Sequence, residues 1–276
     1  MGEHSTLQNL ASRWLTALSG AQAAGGGPYG PAVRVVDARL AGEAARYIAL
    51  APDPGNRFVR ARRGEAGLEQ GWALAQAVRD CMAADAGCAD KRAIVALIDT
   101  PGQAYGRREE AYGIHLALAA AVDAYASARL VGHPVIGLIV GQAMSGGLLA
   151  HGHQANRLLA LDAAEVTTQA MGKQAAAQVT MRSLEALEAL AAELPPMAYD
   201  IRSYASLGLL WRLLPVEAIH APTAADIARV RAALGEALTD IRQAGDQGRR
   251  QGAAMAQRAS RLVRQRLCEQ WELTSW

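Results

Sequence analysis

Apolar positions recur along this chain with two periods, one helical and one extended, and the two alternate. Leu7, Leu10, Trp14, Leu15 and Leu18 fall at helical spacing over residues 5–18, with Ser5 or Thr6 placed to cap the helix. A glycine-rich loop at 23–31 follows. Residues 33–40 and 47–51 read as strands, closed by the turn Pro52-Asp53-Pro54-Gly55. Leu68, Trp72, Ala75 and Val78 predict a helix over 67–82, and the run 93–98 predicts a buried strand. Next come a helix over about 109–130, a strand at 134–140, a short helix near 146–153, a strand at 157–161 and an extended piece at 165–168. The remainder reads as helices at 181–194, 223–243 and 247–271. Strands alternating with helices predict an α/β fold with parallel pairing. Alanine runs at 117–121 and 175–177 predict close helix packing.

Composition narrows the class. Hydrophobic residues make up 51% of the 276, and 28 Lys and Arg against 26 Asp and Glu leave a net charge of +2, so no electrostatic footprint points to nucleic acid. Arg249, Arg250, Arg258, Arg261, Arg264 and Arg266 spread around the last helix, which predicts a solvated or partner-facing surface. Cys81, Cys88 and Cys268 are odd in number and lack C-x-x-C spacing, which supports neither a disulfide framework nor a zinc site. With no basic-then-apolar leader and no run of about 18 apolar residues, the expectation is a cytoplasmic protein that does not span a membrane.

The chemistry gathers in two loops that each follow a strand and lead into a helix. The first reads Asp99-Thr100-Pro101-Gly102-Gln103-Ala104-Tyr105-Gly106, the second Gly141-Gln142-Ala143-Met144-Ser145-Gly146-Gly147. Such a turn aims unpaired backbone N–H groups and the positive end of a helix dipole at one point, which suits an oxyanion. Asp99 or Thr100 is placed to bond loop backbone groups, with Pro101 setting the exit direction. Arg107 and Arg108 stand at a helix start where acids belong, so an anion, a partner carboxylate or Glu109/Glu110 must compensate them. Neither G-x-G-x-x-G in an early βαβ unit nor G-K-[ST] is present, which removes nucleotide binding. His151 and His153, two apart on a helix, diverge too far to share a metal, and are expected as one packed and one exposed residue. His115, among Ile114, Leu116 and Leu118, is expected inside. Gln142 and Lys173 are polar groups beside the loops.

Asp99-Thr100-Pro101-Gly102 with Gly106, then Pro134-Val135, then Gly141 to Gly147, then Met171-Gly172-Lys173-Gln174-Ala175-Ala176, resembles the carboxyltransferase branch of the crotonase superfamily. Within it the likeness is to malonate decarboxylase gamma subunits and spans about 33–214. The resemblance implies a crotonase-like spiral of ββα units in a single domain 1–276, with an N-terminal helix and loop (1–32), a spiral core (33–214) and a C-terminal helical arm (215–276). It implies a site shared with a homologous beta subunit, where malonyl-S-acyl carrier protein loses CO2 to become acetyl-S-acyl carrier protein. Gly146, Gly147, Gly102 and Gly106 match the family's oxyanion loops, and Gln103, Gln142, Ser145, Gly172 and Lys173 fall at substrate-contact positions. No metal and no tightly bound cofactor are implied, since the substrate rides on a coenzyme-A-derived prosthetic group of the carrier protein, and an acyl carrier protein transferase is a further expected partner.

Two departures bear on the alternatives. Ser145 replaces the first glycine of the family's G-G-A pattern. Leu148-Leu149 is apolar where biotin-dependent relatives often carry an acid, which favours biotin-independent chemistry over carboxyl transfer to biotin. A non-catalytic subunit of the same complex is the other alternative. Gly141 to Ser145 also resembles a G-Q-A-A-S segment of the Clp protease, but Thr168 stands where its histidine belongs, and threonine does not take a proton at neutral pH.

Overall fold

The computed structural model describes residues 9–21, 27–244 and 259–273. Its centre is a sheet in the order β1-β2-β3-β4-β5-β7, with β6 paired to the far end of β4. β1 (Val33–Leu40) and β2 (Glu43–Leu50) form an antiparallel hairpin, and from β2 onward β3 (Ala93–Thr100), β4 (Val135–Met144), β5 (Arg157–Asp162) and β7 (Arg212–Pro215) run parallel. β6 is the short strand Thr167–Gln169.

Period-two alternation sorts the side chains into two cores. Ala45, Tyr47 and Ala49 of β2 and Val95 and Leu97 of β3 face one way, against α1 (Leu10–Ser19) and α9 (Ala224–Ala244). Ile48, Leu50, Ile94 and Ala96 face the other way, against α2 (Leu68–Ala84) and α4 (Ile114–Leu130). A parallel sheet covered on both faces must be apolar along its whole length, and residues 93–98 are all fully buried. The alanine-rich face of α4 explains the close approach of α2, since a Cβ on Gly71 would stand 2.6 Å from the Ala117 backbone.

Several boundaries differ from the sequence expectation. Asn9 caps α1 by accepting the Ser12 N–H at 3.1 Å; Ser5 and Thr6 lie outside the described residues. The single helix expected over 109–130 is two, α3 (Arg107–Ala111) and α4, broken where Gly113 takes φ +80°. α5 (Ser145–Ala150) is shorter than expected, so neither His151 nor His153 lies within it. α6 (Lys173–Val179), α7 (Leu184–Glu193), α8 (Ile201–Ser206) and β7 occupy the stretch between β6 and α9. α10 (Ala259–Leu273) carries Arg264 and Arg266, both exposed; Arg249, Arg250 and Arg258 lie outside the described residues. No helix among the described residues is long and apolar enough to cross a membrane.

His151 is fully buried, and its bonds fix its state. Nε2 lies 2.9 Å from the Leu97 carbonyl, which can only accept, so Nε2 carries the proton and Nδ1 accepts from the Tyr125 hydroxyl at 3.0 Å. Burial drops its pKa to about 4 from 6.5. A depressed histidine pKa gives stability that is complete above pH 6.5 and is lost as pH falls toward 4, because the unfolded chain takes the proton first. Over that window the loss is about 3 kcal/mol. His151→Gln keeps both hydrogen bonds without titrating, so urea unfolding at pH 7 and pH 4 should show that much less acid destabilisation in the variant than in the parent.

Candidate functional site

β3 and β4 are adjacent and parallel, so the two glycine loops leave the same edge of the sheet and pack on each other. Their pairing slips between Ile98↔Ile139 and Thr100↔Ala143, which puts three residues of β4 opposite Asp99. Asp99 fills that irregularity. Its Oδ1 accepts the Gln142 N–H at 3.0 Å, its Oδ2 accepts the Leu10 N–H at 2.9 Å, and burial raises its pKa against the pull of these donors. Thr100 Oγ1 has one proton to donate and lies within reach of the Gly64 and Gly102 carbonyls, at 3.1 and 3.2 Å. The expected backbone role of Asp99 and Thr100 is therefore present in both residues.

Gly147 sits against the first loop, where an added Cβ would lie 2.5 Å from the Gly102 carbonyl oxygen and 2.8 Å from Thr100 Oγ1. Gly146 faces the end of the Gln103 side chain, which such a Cβ would overlap. Both glycines belong to the first turn of α5, whose N–H groups have no acceptor inside the helix. Just before them Ser145 takes φ +56°, a left-handed conformation that costs a side-chain-bearing residue about 1–2 kcal/mol. That strain is stored where the strand turns into the helix.

Two cavities open on either side of the β4–β6 ladder, and they divide the expected substrate residues. Ser145, Gly146 and Gln103 line a cavity of about 460 Å³, with Leu149, Pro195 and Leu209 forming much of its apolar wall and Thr168 adding a hydroxyl-bearing side chain. Gln142, Gly172 and Lys173 line another of about 690 Å³, together with Thr167, Glu188 and Tyr199. The pleat of β6 sends Thr167 to one and Thr168 to the other, while Ala198 borders both. Gly102, Gly106 and Gly147 line neither of these two cavities. Gly102, at φ +154°, sets its carbonyl oxygen against Gly147. Gly106 is the extended residue before α3, with the Glu109 carboxylate folded against its Cα. Glu109 and Glu110 both fall in the first turn of α3, where acids complement the helix dipole beside Arg107 and Arg108.

Lys173 holds Glu188 at 2.6 Å, and its ammonium stands 5.6 Å from the centre of the Tyr199 ring. The Tyr199 hydroxyl donates to the Met171 carbonyl at 2.9 Å, and Gln169 ties the loop back through the Pro196 and Ala198 carbonyls. Of these wall residues, Glu188, Pro196, Ala198 and Tyr199 come from α7 and the segment between it and α8, whose ordinary pattern gave no local signal of a site. Two histidine expectations need correction. His115 is exposed on α4, because its neighbours Ile114, Ala117 and Leu118 carry the buried face. His153 is half-buried in the turn after α5, not exposed on a helix. Among the described residues, no histidine lines the Ser145 cavity, and none there is placed as a base for that serine.

A family model described as malonate decarboxylase gamma subunit matches residues 61–271. Among solved structures, a chain of a Pseudomonas malonate decarboxylase hetero-tetramer in complex with coenzyme A is 57% identical, with a TM-score of 0.86 over 95% of this chain and 98% of that one. The malonyl-S-ACP:biotin-protein carboxyltransferase MADD of Malonomonas rubra is 32% identical over 216 residues, 75% of this chain and 71% of that protein. The transcarboxylase 12S structure shares the fold alone, at 20% identity and a TM-score of 0.57 over 76% of this chain and 37% of that one.

The surroundings of the two α5 glycines predict opposite tolerance. In Gly147→Ala the methyl meets backbone that must shift, for a destabilisation of about 1–3 kcal/mol. In Gly146→Ala it meets the end of a side chain that rotates away, for a change within about 0.5 kcal/mol. Urea unfolding of the two variants gives the comparison.

Proposed function

Because the chain belongs to the malonate decarboxylase gamma subunit family and has a crotonase-like fold, we propose that it acts with a homologous beta subunit to decarboxylate malonyl-S-acyl carrier protein. The observation that carries this reading is the strand-to-helix turn at Ser145-Gly146-Gly147, which presents first-turn N–H groups beside a cavity whose wall is mostly apolar. Cleavage of the bond to the carboxylate releases CO2 and leaves the electron pair as a thioester enolate. Its charge rests on the thioester oxygen, and fixed N–H donors in a site shielded from water hold that charge without reorganising. A proton then adds to the former methylene carbon to give the acetyl thioester, and no electrons leave the system.

Gly146 is assigned to the oxyanion, with Gly147 and Gly102 holding the turn in place and Gly106 setting the far end of the first loop. Gln103 and Ser145 serve as polar contacts to the acyl group. Gln142, Gly172 and Lys173 border the larger cavity, which suits the carrier protein's prosthetic arm. The hetero-tetramer of the Pseudomonas relative supports a beta partner here. A second reading, transfer of the carboxyl group to biotin, is supported by the Malonomonas relative. Leu148 and Leu149 speak for the first, since both are apolar at the cavity.

Co-expression with the beta subunit and measurement of CO2 release from malonyl thioester tests the proposal. The expected result is release by the complex, little or none by this chain alone, and no inhibition by avidin. Avidin sensitivity would move the assignment to biotin transfer. Gly146→Val keeps the N–H but sets a branched side chain, whose Cβ overlaps the end of Gln103, beside the oxyanion position, so it should leave the complex assembled and lower kcat by about 10²-fold through misplacement of the acyl group. Full turnover by that assembled variant would make this subunit structural.

A further inference from the structure

At the opposite ends of β3 and β4 from the glycine loops, the last turn of α2 and the turn before β4 bring Cys81, Asp85 and His133 together, all buried. One donor atom from each lies within 4.8 Å of the others. Cys81 and Asp85 are four residues apart, which stacks them on one face of the helix end. His133 arrives from the far side of β3. Its Nδ1 lies 2.9 Å from the Arg92 carbonyl, which can only accept, so Nδ1 carries the proton and Nε2 offers a bare lone pair. That Nε2 is buried and has no hydrogen-bond partner, in a residue 2% exposed. A buried acceptor without a donor is unfavourable, since it has lost its water partner and gained none. A Lewis acid relieves that cost.

We propose that Cys81, Asp85 and His133 form a structural binding site for a borderline-soft divalent cation of the Zn²⁺ type. Thiolate, imidazole and carboxylate are the donor set such ions prefer over Mg²⁺ or Ca²⁺. The Nδ1–H bond to a backbone carbonyl is the outer contact that orients metal-bound imidazoles. Ligand bonds of about 2.0–2.3 Å place tetrahedral donors roughly 3.5 Å apart, so binding draws the three in by about 1 Å. Burial pushes the Cys81 thiol up to about 11, and Arg46 and Arg92 pull it back, so the metal displaces the thiol proton to solvent and forms a metal–sulfur bond with no change of oxidation state. Arg92 holds the Asp85 carboxylate at 2.6 Å, fixing its orientation and offsetting part of the site's negative charge. Sequence spacing gave no hint of this, since 52 positions separate Cys81 from His133. The site joins the end of α2 to the start of β4 and takes no part in the proposed decarboxylation.

Co²⁺ is the probe, used on the full chain with Cys88→Ser and Cys268→Ser removing the two exposed thiols. The expected result is one Co²⁺ per chain with a thiolate-to-cobalt charge-transfer band, displaced by Zn²⁺. Cys81→Ser should abolish the band, and His133→Gln should weaken binding at least tenfold. A hundredfold excess of Zn²⁺ over Kd should raise Tm by about 5–10 °C. No such band from the folded background protein, or a band that survives Cys81→Ser, overturns the proposal. The background spectrum decides the matter even where a substituted chain fails to fold.

Discussion

The Asp99 carboxylate is the interaction on which the candidate site depends. It takes one N–H from the first turn of α1 and one from Gln142 in β4, while the Asp99 carbonyl accepts from the Asn9 side chain at 3.2 Å. One residue thus ties the N-terminal helix, the end of β3 and the approach to the second loop. The donors and the helix N-terminus favour the charged form, and burial opposes it. Gly141 is the necessary counterpart, because any Cβ there would overlap the carboxylate. The spacing between the two loops follows from this contact.

Three glycines in the second loop therefore serve different ends. Gly141 admits Asp99, Gly147 admits the carbonyl of Gly102, and Gly146 leaves Gln103 room beside the cavity. None of them has a left-handed φ. The left-handed position falls on Ser145, where the family pattern has glycine, so this chain keeps a hydroxyl at the cavity at a conformational cost. Close approach, not backbone freedom, explains the glycines here. The distinction matters because a close-approach glycine reports on what it faces.

Much of this was legible along the chain, for a physical reason. The central strands are buried on both faces, so they read as unbroken apolar runs, and each loop announces itself by the residues that end its strand. Adjacent parallel strands then bring both loops to one edge. The walls of the cavities were not legible throughout. The part of them that comes from residues 187–209 gave no signal, because nothing in an amphipathic helix says which neighbour its apolar side will meet. The exposure of His115 was hidden for the same reason, since the break at Gly113 fixes where α4 begins and hence which face it buries.

The β3–β4 pairing makes one further demand. Parallel strands send their C-terminal ends to one side and their N-terminal ends to the other, and the β3–β4 pair is tied at both ends. At the near edge the tie is Asp99. At the far edge the corresponding ties are His133 Nδ1–H to the Arg92 carbonyl, Arg92 to Asp85, and the Ile94 N–H to the Pro134 carbonyl at 2.8 Å. Both sets hold the same two strands in register, one at Thr100↔Ala143 and the other at Ile94↔Val135. Slippage of one residue would exchange the two cores and carry Gly141 away from Asp99. The His133–Arg92 and Ile94–Pro134 bonds at the far edge and Asp99 at the near one thus hold the same strand pair at its two ends.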